Sequence, residues 1–107
     1  MKENSLKLGF VGDIALSHDY DVLYVARGPH YPFELMGSVF DTTDALVGNL
    51  ESPLCLGGET YPLKLSLRAH PGYADGLRDA GFSVLTVGNN HILDYREQAF
   101  FETLEIL

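Results

Sequence analysis

Three short apolar runs in this chain end in the same way, and that shared ending constrains its fold more than any other feature. Leu8-Gly9-Phe10-Val11 runs into Gly12-Asp13, Ala45-Leu46-Val47 into Gly48-Asn49-Leu50-Glu51, and Ser83-Val84-Leu85-Thr86-Val87 into Gly88-Asn89-Asn90-His91. Short branched runs closed by glycine and a polar group are the pattern of buried strands. Between them helical spacing recurs. Behind Pro32, residues 33–40 put Phe33, Met36, Val39 and Phe40 on one face, and behind Pro71, residues 72–80 do the same with Tyr73, Ala74, Leu77 and Ala80, stopped by Gly81. Residues 96–107 carry Phe100, Phe101, Leu104 and Leu107 at helical spacing. The alternation predicts an α/β fold, a parallel-type sheet with crossover helices.

A parallel sheet delivers the C-terminal ends of its strands to one edge, where ligands bind in open α/β sheets. Here that edge gathers Asp13, Asn49 or Glu51, and Asn90 or His91. Each alone has a structural explanation: Asp13 as a cap, Asn49 and Glu51 closing a loop before Pro53, Asn89-Asn90 as a left-handed turn. Together, carboxylates, amide and neutral imidazole at one edge suit a divalent metal.

Composition narrows the remaining classes. With 46% apolar and 21% charged residues the chain can build a core. Seven Lys+Arg against fifteen Asp+Glu leave a net charge of -8, which repels phosphate backbones and excludes a nucleic-acid partner. No apolar stretch approaches the roughly 20 residues that span a bilayer. The first eleven residues also lack a signal-type apolar core, so the chain is expected to hold no membrane segment and to stay cytoplasmic. The lone Cys55 reads as a small buried hydrophobe, and His18, His30 and His70 as loop residues. The Gly-rich dinucleotide and Walker patterns and the Gly-x-Ser-x-Gly elbow are all missing. At about 150 residues per domain the chain is one domain at most. Its last helix ends on Ile106-Leu107 without a stop signal, which predicts a domain that continues past Leu107.

Phe10-Val11-Gly12-Asp13-Ile14, Val47-Gly48-Asn49-Leu50-Glu51-Ser52-Pro53-Leu54, Ala80-Gly81-Phe82-Ser83-Val84-Leu85 and Asn89-Asn90-His91-Ile92-Leu93-Asp94-Tyr95 together resemble the CapA-type poly-gamma-glutamate capsule biosynthesis proteins, relatives of the calcineurin-like metallophosphoesterases. The resemblance covers residues 6–107. It implies the N-terminal half of a metallophosphoesterase-like sandwich and a dimetal hydrolase acting on an anionic small-molecule or polymer substrate, a phosphoester or an amide. By the same resemblance Asp13, Asn49, Glu51 and Asn90 hold divalent metal ions (Mn, Fe, Zn or Mg), His91 serves the leaving group, and Asp94 accepts a hydrogen bond from His91 or from loop backbone. Two positions depart from the wider pattern. No histidine follows Asp13 by two residues, and Arg96 stands where the family usually has glycine, which predicts a reshaped turn and a cation near the site. The remaining metal-binding histidines of the family lie on later strands, so the site is expected to be incomplete in these residues, and family members are commonly membrane-anchored. The alternative from the residues alone is a non-catalytic α/β module that binds a small ligand or partner.

Overall fold

The computed structural model describes residues 4–107 and shows a mixed α/β chain. Strands β1 (Leu8–Ile14), β2 (Ala45–Leu50) and β3 (Phe82–Thr86) form a parallel sheet in the order β1-β2-β3. Parallel neighbours need a crossover rather than a hairpin. The first crossover carries α1 (Asp21–Arg27) and α2 (Gly37–Phe40), the second carries α3 (Tyr73–Ala80), and α4 (Arg96–Ile106) follows β3. No helix among the described residues is long and apolar enough to cross a membrane.

The first two strands run on past the glycines that mark their ends in the sequence, and the way they do so places the polar residues. Phe10 pairs with Val47, but it is Asp13 and not Gly12 that pairs with Asn49, so β1 uses one more residue than β2 over this stretch. Side chains alternate with a period of two, and the extra residue turns Asp13 away from the core face and onto the face of Asn49. A second irregularity does the same on the other side. Leu46 pairs with Phe82 and Val47 with Val84, which leaves Ser83 as the extra residue, its Oγ accepting the Leu46 N–H at 3.3 Å. Thr86 thereby comes opposite Asn49. Asp13, Asn49 and Thr86 form one row across the C-terminal end of the sheet.

The core lies against the opposite face. Leu46, Gly48 and Leu50 of β2 are buried there, and Ile14, Leu16, Leu50, Leu54, Ala69, Tyr73 and Leu77 form one apolar cluster. Helix α3 supplies Tyr73 and Leu77 and ends, as its sequence predicts, on Gly81 at φ 100°. The Tyr73 hydroxyl donates to the Tyr20 carbonyl at 2.7 Å, and Arg68 pairs with Asp21 at 2.9 Å, tying the two crossovers together. Cys55 is buried as expected, and burial pushes its thiol up, which leaves it inert.

Two helical expectations change. Residues 33–40 do not form one helix: Tyr31–Phe33 is a 3-10 turn, and α2 begins only at Gly37. Neither piece has a side-chain N-cap, and glycine inside the stretch weakens it. Phe33 and Phe40 still pack edge-on against Phe82, whereas Met36 and Val39 are exposed. The buried stripe of α4 is Ala99 and Thr103, with Phe101, Leu104 and Leu107 exposed. Small residues are required there because the buried backbone of residues 52–55 passes close by. Thr103 Oγ1 accepts the Leu54 N–H at 2.9 Å and donates to the Ala99 carbonyl at 2.7 Å. Thr103→Val keeps the shape but strands a buried N–H, so urea denaturation is expected to show a loss of about 1–3 kcal/mol.

Candidate metal and proton-transfer site

The row at the sheet end is held by one amide. Asn49 Nδ2 donates to Asp13 Oδ1 at 2.9 Å, while Asn49 Oδ1 accepts from Thr86 Oγ1 at 2.9 Å and from Asn89 Nδ2 at 3.2 Å. The orientation of the amide follows from chemistry, since an ionised carboxylate only accepts and the Asn49 nitrogen must therefore face Asp13. Asn89 is a second hub. Its nitrogen also donates to the Leu50 carbonyl at 2.8 Å, and its oxygen accepts the backbone N–H groups of His91 at 3.0 Å and Ile92 at 2.9 Å. This is the local side-chain turn that asparagine favours, and it bends the chain so that His91 follows the strand ends. Strand and helix spacing do not single out Asn89 as a site residue, and the available signal is an asparagine two residues before a histidine.

His91 is oriented from behind by Asp94. Its Nδ1 lies 2.5 Å from Asp94 Oδ2, which also accepts the Leu67 N–H at 2.7 Å. Lys64 Nζ approaches Asp94 Oδ1 at 2.5 Å, outside hydrogen-bond geometry, as an ion pair. The Asp94 side chain is 0% exposed. Burial pushes its carboxyl up, but the Lys64 ammonium, the Leu67 N–H and His91 outweigh that and hold it below the usual carboxylate value. Asp94 is thus ionised at neutral pH and fixes the proton on His91 Nδ1, leaving Nε2 directed toward Glu51, 4.0 Å from Oε1.

The structure therefore brings Asp13, Asn49, His91 and Asp94 into one connected edge, with Glu51 beside the imidazole. Asp13 and Asn90 are exposed, while Glu51 and His91 are half-buried. Among the described residues no three His, Cys, Asp or Glu side chains close on one point. The other histidines have other partners: His18, in a 3-10 turn, lies 3.3 Å from Asp19, His30 pairs with Asp79 at 2.6 Å, and His70 stacks on Tyr24 at 3.9 Å between centroids. Arg96 departs from expectation. The turn keeps a glycine-type backbone, φ 68°, despite the arginine, and the guanidinium stacks on the Tyr61 ring at 3.9 Å and donates to the Thr60 carbonyl at 3.0 Å. Its charge is engaged by that loop and not by the strand-end residues.

The family model for bacterial capsule synthesis protein PGA_cap matches residues 7–107. The chain belongs to this family. It is 27% identical over 104 residues to the PGA biosynthesis protein CapA of Bacillus subtilis (strain 168), covering 95% of this chain and 27% of that protein. It is 28% identical over 109 residues to the capsule biosynthesis protein CapA of Bacillus anthracis, covering 97% of this chain and 26% of that one. The chain thus spans about a quarter of the length of these PGA_cap relatives. The match takes in all three strands, both crossovers and the turn that carries His91.

Proposed function

We propose that this PGA_cap chain forms part of a metal-dependent hydrolase site of the metallophosphoesterase type, used in capsule biosynthesis on an anionic phosphoester or an amide of the poly-gamma-glutamate kind. The observation that carries the reading is the bulge in β1, which sets Asp13 beside Asn49 at the sheet end, on the edge that His91 joins. A bulge that re-aims one carboxylate at the ligand-binding edge is a device of functional sites.

Asp13, Glu51 and Asn90 supply hard oxygen donors of the kind Mg, Mn, Fe or Zn accept, and they fit a divalent cation in chemistry while falling short of a full shell in number. Asn49 has both ends of its amide engaged and acts first by orienting Asp13, and it ligates only by exchanging one of its two donors. A bound divalent cation would lower the pKa of a coordinated water and neutralise an oxyanion. His91, with its proton fixed on Nδ1 by Asp94, presents Nε2 to take up a proton and pass it to a leaving group. A chain of net charge -8 otherwise repels an anionic substrate, so cations at this edge are what make such a substrate bindable.

The test is calorimetric titration of manganese into the longest polypeptide the encoding gene specifies. Asp13→Ala and Asn90→Ala are each expected to weaken binding by at least about tenfold. Unchanged binding in both variants favours the non-catalytic module instead.

A further inference from the structure

A charged residue from a distant segment converges on the turn that carries His91. Lys64 pairs with Asp94 Oδ1 at 2.5 Å and donates to the Asn90 backbone carbonyl at 2.9 Å, across 26 residues of sequence. One ammonium thus ties the second crossover to both ends of the stretch from Asn90 to Asp94. The backbone that delivers it is strained. Leu63, immediately before, has φ 61°, and the residue is fully exposed. Pro62 followed by a positive-φ residue is the order of a type II turn, in which glycine or asparagine is favoured and leucine is not. Nothing that the Leu63 side chain packs against offsets the strain. Such strain persists where neighbouring contacts over-determine the conformation, and the contacts here are those of Lys64 on one side and of Arg96 with Thr60 and Tyr61 on the other.

We infer that Lys64 is a positioning residue: by bridging the Asp94 carboxylate and the Asn90 carbonyl it sets the conformation of the turn that presents the Asn90 amide and the His91 ring. The inference rests on the metal-site reading above. A lysine suits the task because a compact ammonium with three donors engages a carboxylate and a carbonyl from one nitrogen, where the planar fork of arginine does not.

The experiment compares Lys64→Met with Arg68→Met, both in the longest polypeptide the gene specifies. Arg68→Met breaks the Arg68–Asp21 pair in the same crossover without touching the turn. Two readouts are taken, manganese affinity by calorimetry and the ring-nitrogen resonances of His91 by 1H–15N correlation. Lys64→Met is expected to weaken manganese about tenfold and to broaden or lose the His91 Nδ1–H signal, with Arg68→Met changing neither. Unchanged affinity and ring signal in Lys64→Met overturn the inference, as do equal losses in both variants. If the unsubstituted protein binds no manganese, the metal-site reading fails, and the ring signal alone decides the role of Lys64. Should Lys64→Met not fold, Lys64→Gln takes its place. Failure of both to fold assigns Lys64 a structural role and overturns the inference.

Discussion

Replacing Asp94 with alanine is expected to destabilise the fold by about 3–5 kcal/mol, a fall in melting temperature of roughly 12 °C or more for a domain of this size. The carboxylate is 0% exposed, accepts from the Leu67 N–H and from His91 Nδ1, and pairs with the Lys64 ammonium. Alanine leaves the Leu67 N–H and His91 Nδ1 without their acceptor and the Lys64 ammonium without its counter-charge, its bond to the Asn90 carbonyl remaining. Asp94→Asn keeps the volume and removes the charge, so it is expected to recover only part of the loss. The acid limb of stability gives an independent check. The folded carboxyl titrates below its ordinary value of 3.8, so its contribution is complete above about pH 4 and is lost as pH falls through the folded value. Urea midpoints measured from pH 6 down to pH 3 should therefore fall less steeply in Asp94→Ala than in the unsubstituted chain. Equal slopes would place Asp94 outside the ion pair.

Gly76→Ala is expected to cost about 3 kcal/mol, although glycine to alanine inside a helix ordinarily gains about 1 kcal/mol. The sign reverses because of what lies above Gly76. A methyl group there would sit 1.9 Å from the Pro29 carbonyl oxygen and 2.7 Å from its carbon, with the Phe33 ring at 3.3 Å. Backbone cannot swing aside as a side chain can, so α3 must retreat and loosen the packing of Tyr73 and Leu77, both buried in the core cluster. The urea midpoint and the near-ultraviolet dichroism of the tyrosines should fall together. A midpoint that rises would falsify the close approach.

Much of the local structure was legible because it depends on neighbours in sequence. The three apolar runs became three strands, and Gly81 stopped α3 because only a residue tolerant of positive φ fits that cap. Local signals misled where packing partners decide. The spacing of residues 33–40 is helical, yet no cap supports it and residues 34–36 turn before α2 starts at Gly37, so only Phe33 and Phe40 find the sheet. In α4 the aromatic residues suggest the buried face, but a close backbone selects Ala99 and Thr103 instead. The arginine at position 96 suggested a reshaped turn, whereas Tyr61 and Thr60 hold it in the conformation glycine would adopt.

By itself the sequence determined which polar residues lie at the strand ends, since strand ends and their polar termini are encoded within a few positions of each other. It determined membership of the PGA_cap family for the same reason. Only the tertiary structure decided how those residues meet. Whether Asp13 faces the core or Asn49 turns on one extra residue in the register of two strands 36 positions apart, and alternation cannot reveal a bulge. Whether His91 is oriented depends on Asp94, and Asp94 in turn on Lys64 and Leu67, brought close by a crossover that passes over them. Side-chain chemistry is local and can be read along the chain, while register and ion pairing are set by distances that exist only once the chain has folded.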